Sequence, residues 1–256
     1  GLTERSSKLI SSKKFASRLH RIAKNIADEE VATELIVLAG EIASQGFGMG
    51  EIHLRINAVQ LGNAMSAVDG RSVLLSSDGV QNRLLMERLT SRIKTEAPWS
   101  INFENLNEET ATARRQLMLA AQILKHVDCD RPIRLLIAEC EKPITMINAL
   151  YLAHKFGIAD HLDISPLFET TFGLEHGVQL IEQLLGYDVF CDYVAKRGRL
   201  AIQTGFSDAG RFIGQIAANL AIERLQLKIA KLVKDRLNSE VDLLIFNTHG
   251  ESFGRG

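Results

Sequence analysis

Polar residues that could bind a ligand or act in catalysis recur at one kind of position in this sequence. They follow apolar runs typical of β-strands, and they are Asn57, Glu139, Glu169, Asp208 and His249. In parallel α/β proteins the ligand site lies at the carboxyl ends of the strands. A carboxylate there is a hard oxygen ligand, suited to Mg²⁺ or Mn²⁺. We therefore expect a site built on strand ends, with Glu169 as a candidate metal ligand.

The two most prominent carboxylates also have simpler interpretations. Glu169 would serve as a solvated partner for the N-terminus of the helix that follows it. Asp208, together with Ser207, would cap the long helix that begins just after them. Metal binding and helix capping are compatible for Asp208, so both interpretations stay open.

The elements that must position these residues change in pattern along the chain. Helices are predicted at 7–27 and 30–44, a strand at 51–57, and a largely helical region at 58–127 with a turn-rich stretch at 69–79, a loop at 99–107 and a strong helix at 108–126. Strands then alternate with helices: strands at 131–139, 161–168, 199–204 and 241–246, and helices at 144–156, 174–185, 188–195 and 209–238. This alternation indicates βαβ units and a parallel sheet.

The predicted fold class is α/β, a partial (β/α)8 TIM-type barrel with additional long helices. A closed barrel needs eight strands and five are visible, so we expect the chain to be part of a longer protein. The predicted organisation is an N-terminal helical segment at 1–47 and a partial catalytic barrel at 48–256. No G-x-G-x-x-G motif follows the first strand, which disfavours a dinucleotide site.

The composition excludes several classes of protein. The 256 residues carry a formal net charge of -1, which lacks the basic footprint of nucleic-acid binding. No apolar run approaches the roughly 20 residues of a membrane-spanning helix. The cysteines, Cys129, Cys140 and Cys191, are odd in number and form no CxxC pair. That usage disfavours a disulfide framework or a zinc site and predicts a cytoplasmic location.

Three sequence blocks carry a family resemblance. They are "SPLFET" at Ser165–Thr170, "TGFSDAGRFIG" from Thr204, and "FNTHGESFGRG" at Phe246–Gly256. In order and spacing they resemble the P-L-F-E-T, G-Y-S-D-S-x-K-D-A-G and F-H-G-R-G-G-x-x-G-R-G blocks of phosphoenolpyruvate carboxylases. Two weaker blocks, Gly48–Asn57 and Leu135–Leu152, agree in order. The resemblance covers roughly residues 35–256.

The resemblance implies a set of site residues. Glu169 and Asp208 would be the two protein ligands of Mg²⁺ or Mn²⁺. Arg211 takes the place of the family's lysine, and Arg255 matches the second arginine of the glycine loop. The implied catalytic residues are Arg55, Asn57, Arg211, His249 and Arg255, and the implied substrate-binding residues are Arg211, Ser252, Gly254 and Arg255.

The sequence also departs from the family pattern. Asn57 stands where the family has an arginine, and Arg55 stands where it has an aspartate, so Arg55 would supply the positive charge from the same strand face. Aligning on "FGRG" places Asn247 at the catalytic histidine, whereas a two-residue slip places His249 there. An arginine at 211 keeps the charge but is not a readily deprotonated base.

By resemblance the protein is a carboxy-lyase that converts phosphoenolpyruvate and bicarbonate to oxaloacetate and phosphate, and a homo-oligomer, a tetramer in the family. Activity of this chain alone is left open. One alternative is another metal-dependent barrel enzyme acting on phosphoenolpyruvate or pyruvate. The other is a non-catalytic, degenerate barrel that acts as a binding module. Membrane and nucleic acid are not among the expected partners.

Overall fold

The alternation of strands and helices expected from the sequence is present in a computed structural model, which describes residues 10–48, 50–69, 79–237 and 240–247. The helices are α1 Ser12–Ala23, α2 Glu29–Gln45, α3 Ala58–Asp69, α4 Gly79–Thr95, α5 Phe103–Glu108, α6 Thr112–His126, α7 Pro143–Lys155, α8 Thr171–Leu184, α9 Asp188–Arg197, α10 Phe206–Ile213 and α11 Gln215–Arg236. The strands are β1 Ile52–Asn57, β2 Ile133–Ala138, β3 Leu162–Phe168, β4 Arg199–Thr204 and β5 Asp242–Asn247.

The five strands form one parallel sheet in chain order, β1-β2-β3-β4-β5. This confirms the α/β class. The described strands form an open sheet, because β1 and β5 lie at its two ends and do not pair with each other. The partial-barrel prediction is therefore confirmed only as far as a parallel α/β sheet.

The sheet is nevertheless strongly curved. In a flat sheet, β1 and β5 would lie about 19 Å apart, four inter-strand spacings of about 4.8 Å. The rings of His53 in β1 and Phe246 in β5 have centroids only 5.5 Å apart. The Arg134 guanidinium of β2 lies 4.8 Å from the same Phe246 ring. Side chains from the two end strands therefore meet across the concave face.

The core lies on the convex face, where the helices pack. Alternate strand residues such as Ile56, Leu135 and Ile202 are fully buried there, as the two-residue period of a strand requires. Helix α7 is apolar around almost its whole circumference and is buried along nearly its full length. It is the central helix of this layer, since it contacts α3, α4, α6 and α8.

Two sequence expectations about local structure were wrong. The predicted single helix at 209–238 is two helices, because Gly214 has φ 85° and ψ 154°, a backbone conformation open essentially only to glycine. The predicted loop at 99–107 contains the short helix α5. A reciprocal pair of hydrogen bonds between Asn102 and Asn105 caps its first turn.

The N-terminal helices form a hairpin tied to the sheet domain through side chains of the segment before β2. The Ser11 and Ser12 hydroxyls donate to Asp130 (2.6 Å) and Asp128 (3.1 Å). None of the helices within the described ranges is long and apolar enough to cross a membrane.

Candidate functional site

Glu169 lies at the junction of β3 and α8, at the carboxyl edge of the sheet. Its side chain is 13% exposed. The neighbouring Thr170 caps α8, since its hydroxyl oxygen accepts a hydrogen bond from the Gly173 amide at 3.0 Å. The capping interpretation of Glu169 is thus unnecessary, and its carboxylate is left for another role.

The surroundings of Glu169 disfavour its negative charge. Burial is the largest effect and raises the pKa of this carboxyl group, and the carboxylates of Asp208 and Glu139 raise it further. Two groups oppose that shift, the Arg55 guanidinium and a hydrogen bond from the Glu139 backbone. The Arg55 Nη2 atom approaches Glu169 only to 4.0 Å, and the Arg55 side chain is 66% exposed. Among the described residues, the charge of Glu169 is therefore only partly neutralised.

Asp208 lies on the next strand connection, in the first turn of α10. Gly205 is the N-cap residue of α10 and makes no side-chain cap, so Asp208 and Ser207 do not cap that helix in the predicted way. The Asp208 carboxylate has Arg211 Nη1 at 3.6 Å, one helical turn away. Both side chains are about half exposed or more, and such a pair contributes little to stability.

Gly205 allows the β4–α10 connection to approach Glu169. A Cβ atom added at Gly205 would lie 2.8 Å from the Glu169 Cβ atom, closer than real Cβ contacts. The Gly205 amide also donates to the Phe168 carbonyl at 3.0 Å. A glycine at this position therefore brings the connection that carries Asp208 against Glu169.

Arg55 and Asn57 lie on β1, two strands from β3. The Arg55 Nη2 atom lies 4.0 Å from Glu169, so Arg55 is at the site, and its predicted catalytic role stays a prediction. The Asn57 side-chain oxygen accepts from the Gln60 amide at 2.8 Å, and the Gln60 side chain accepts from the Asn57 amide at 3.0 Å. Asn57 thus caps the first turn of α3, and its predicted catalytic role stays a prediction.

The third sequence block lies mostly outside the described residues. The predicted site residues there are His249, Ser252, Gly254 and Arg255. Asn247, the alternative to His249, ends β5 and accepts a hydrogen bond from the Thr204 hydroxyl at 3.2 Å. Asn247 therefore lies at the carboxyl edge of the sheet, next to the β4 end.

Two residues of the β2–α7 turn were not among the site residues implied by the family resemblance, although Glu139 was one of the strand-end candidates. Glu139 is close enough to Glu169 to influence its pKa. The Glu141 Oε1 atom accepts a hydrogen bond from the Thr170 hydroxyl at 2.9 Å. The sequence signal was available for Glu139, which directly follows the β2 run, but nothing in the sequence pointed to Glu141.

The donor set suits a hard cation held by few protein ligands. Within the described ranges, no group of three or more His, Cys, Asp and Glu side chains is placed to hold a metal ion. Two carboxylates fit Mg²⁺, which usually keeps several waters and takes one or two carboxylates. The incompletely neutralised Glu169 also fits, because a divalent cation would offset the unfavourable burial of its charge.

The fold and site define an α/β protein with an acidic site at the carboxyl edge of a parallel sheet. The model of the family "Phosphoenolpyruvate carboxylase" matches residues 2–256. The chain belongs to the phosphoenolpyruvate carboxylase family, as the three sequence blocks predicted.

Individual relatives are distant and much longer. The phosphoenolpyruvate carboxylase of Corynebacterium glutamicum is 23% identical over 90% of this chain and 26% of its own length. Phosphoenolpyruvate carboxylase 3 of Sorghum bicolor is 26% identical over 67% of this chain and 17% of its length. The enzyme of Hahella chejuensis is 30% identical over 47% of this chain and 13% of its length. The chain thus spans about a quarter or less of the relatives it matches.

Proposed function

We propose that this chain carries the metal- and phosphoenolpyruvate-binding part of a bicarbonate-dependent carboxylase, with Glu169 and Asp208 as the metal ligands. The observation that carries the proposal is the convergence of these two carboxylates at one sheet edge, beside Arg55. Family membership supplies the reaction class. The products would be oxaloacetate and phosphate.

The reaction needs an anionic substrate to be held next to two carboxylates, which repel it. A bound Mg²⁺ or Mn²⁺ ion would supply the positive charge that stabilises the enolate oxygen. Arg55 and Arg211 are both largely exposed at this edge. They are therefore free to turn toward a phosphoryl or carboxylate group, for which the arginine fork is well shaped.

In the proposed reaction, bicarbonate oxygen attacks the phosphoryl phosphorus and the bond from phosphorus to the enol oxygen breaks. Carboxyphosphate and the enolate of pyruvate result. Carboxyphosphate then releases phosphate and carbon dioxide, and the enolate carbon attacks carbon dioxide to give oxaloacetate. Water must be excluded at this stage, because protonation of the enolate would give pyruvate instead.

Binding of Mn²⁺ tests the metal ligands directly. We expect Glu169→Gln and Asp208→Asn each to weaken Mn²⁺ binding at least about tenfold, because each removes one of two charged ligands. Free Mn²⁺ measured by electron paramagnetic resonance gives the affinity. Asp160→Asn is the matched control, since Asp160 is an exposed carboxylate that pairs with Lys196 at 2.7 Å. Unchanged binding in both site variants would show that the ligands are wrong.

Isotope incorporation tests the reaction class. We expect ¹³C from labelled bicarbonate to appear in oxaloacetate, with phosphate released in equal amount. Turnover of phosphoenolpyruvate that is the same without bicarbonate would instead favour the other barrel chemistry considered from the sequence.

A further inference from the structure

The turn between β2 and α7 has an unusual backbone. Glu139 has φ 55° and is the one non-glycine residue with positive φ within the described ranges. The Glu141 amide donates to the Glu139 carbonyl at 3.1 Å, which closes the turn tightly. An L-residue keeps this left-handed conformation only where its surroundings enforce it, and such residues concentrate at functional sites.

The turn is attached to the β3–α8 junction at two successive residues. The Glu139 backbone lies close enough to the Glu169 carboxyl group to lower its pKa. The Glu141 carboxylate accepts the Thr170 hydroxyl at 2.9 Å. Because Glu169 and Thr170 are adjacent, the bond from Thr170 to Glu141 restrains the backbone that carries Glu169, and the Glu139 backbone lies beside its carboxyl group.

The opposite side of Glu169 is also constrained. Gly205 of the β4–α10 connection approaches so closely that a methyl group there would overlap the Glu169 Cβ atom. Glu169 therefore lies between the β2–α7 turn and the β4–α10 connection, which packs against its Cβ atom.

We propose that the turn Glu139–Glu141 is a positioning element that holds the Glu169 carboxylate in its ligand-binding orientation. The identity of the ligand, a divalent cation, rests on the proposed function. The contact between the turn and Glu169 does not. Glu141 touches no reacting group in this arrangement, so it acts through Thr170 and Glu169.

A merely structural turn would behave differently from a positioning one. If Glu141 only ended β2 or started α7, its loss would lower thermal stability and leave the affinity of the intact fold for a cation unchanged. If it positions Glu169, its loss would weaken cation binding at temperatures where the fold is intact.

Glu141→Ala and Glu141→Gln form a matched pair, because both remove the charge and only the glutamine keeps an oxygen that accepts the Thr170 hydroxyl. We expect Glu141→Ala to weaken Mn²⁺ binding about tenfold, the usual effect of losing a partner that orients a ligand. Glu141→Gln should stay within about twofold of the original protein. Equal affinities for the two variants, with Glu169→Gln still weakened, would overturn the positioning role alone.

Amide hydrogen exchange gives a second readout that needs no metal. The amide at position 141, which donates to the Glu139 carbonyl at 3.1 Å, should lose protection against exchange in Glu141→Ala and keep it in Glu141→Gln. Unchanged protection of the amide at position 141 in Glu141→Ala would contradict the proposal. This measurement decides the positioning role even if Glu169→Gln leaves Mn²⁺ binding unaltered and so removes the metal site.

Discussion

At the scale of single residues, Glu169 carries a negative charge in surroundings that disfavour it. Burial raises its pKa, two further carboxylates lie nearby, and one exposed arginine approaches it to 4.0 Å. A fold selected for stability alone would use a neutral or apolar side chain there, because an incompletely paired buried charge is costly. The arrangement is understandable if a cation completes it.

Glu139 is a second residue that lowers the stability of the fold locally, through its backbone conformation. The left-handed conformation costs an L-residue roughly 1–2 kcal/mol, and glycine avoids that cost at the expense of some unfolded-state entropy. We therefore expect Glu139→Gly to be about 1 kcal/mol more stable than Glu139→Ala. Both variants lose the same carboxylate, so their difference in free energy of unfolding, measured with urea, isolates the backbone effect.

The opposite order, with Glu139→Ala the more stable, would mean that position 139 does not hold a positive φ in solution. Mn²⁺ binding by Glu139→Gly should persist, since the glycine keeps the backbone group that lies beside the Glu169 carboxyl group.

Strand-end position together with the family resemblance selected Glu169 and Asp208 as candidate ligands, but not the residues that support them. Both follow apolar runs, and carboxylates at strand ends are recognisable in a sequence. The positive φ of Glu139 and the close approach of Gly205 arise from neighbouring strands that are distant in sequence. The reach of Glu141 to Thr170 spans 29 residues, so no local pattern reveals it.

At the scale of elements, the interruption at Gly214 separates the helix that carries Asp208 from the long helix that follows. The sequence from 209 onward has continuous helical periodicity, which is why one long helix was predicted. Gly214 instead separates the short α10 from α11. Asp208 and Arg211 thus lie on a short helix of their own, and most of the predicted element boundaries elsewhere hold within a few residues.

One carboxylate bridges the end of α4 to α7. Glu96, just after α4, accepts from Arg92 at 2.5 Å and from the buried Tyr151 hydroxyl at 2.9 Å, and Lys155 Nζ lies at 3.2 Å. The hydrogen bond with Arg92 is the largest cause that lowers its pKa, to about 2, against an opposing effect of burial.

This lowered pKa predicts that the stabilising contribution of Glu96 between α4 and α7 decreases in acid. The folded-state pKa lies below the unfolded value, so the stabilising effect of Glu96 is complete above about pH 4.5 and is lost as pH falls toward 2. We expect the gap in free energy of unfolding between the original protein and Glu96→Gln to shrink over that window. Urea unfolding at several pH values measures it.

Glu223→Gln provides the comparison, because Glu223 is an exposed residue of α11 and should show a small gap at every pH. A constant gap for Glu96→Gln from pH 6 to pH 2.5 would show that the Glu96 contacts do not stabilise the fold.

At the scale of the whole molecule, the two edges of the sheet use charge in different ways. At the amino edge, the Asp163 carboxylate is 1% exposed and is bonded by Arg134, Arg197 and Arg199 at 2.5–3.0 Å. At the carboxyl edge, the cations nearest to Glu169 and Asp208 in the described part of the chain are arginines at 3.6–4.0 Å. The first edge has the geometry of a structural network and the second that of an acidic binding site.

The sequence could not distinguish these two edges. Asp163 and Arg134 lie within runs of apolar residues that predict buried strands. Nothing in either run indicates that the two side chains pair with each other. The network forms because parallel pairing places Arg134 directly opposite Asp163 in register. Strand register, and the curvature that brings β1 close to β5, arise only when the sheet assembles, so a local sequence pattern does not reveal them.

The contrast between the edges can be measured as stability in metal-free buffer. Asp163→Asn leaves buried arginine charge without its counter-charge, and breaking such a buried group of ions costs about 3–5 kcal/mol. Asp208→Asn removes a 48% exposed carboxylate, and we expect a change within about 0.5 kcal/mol, as for most surface substitutions. Glu169→Gln should be neutral or stabilising, since it removes a charge that burial disfavours. Urea unfolding of the three variants with chelator present tests this order. A loss of stability in Glu169→Gln as large as that in Asp163→Asn would mean that the carboxyl edge, too, is held together by its charges, and the case for an acidic binding site there would fail.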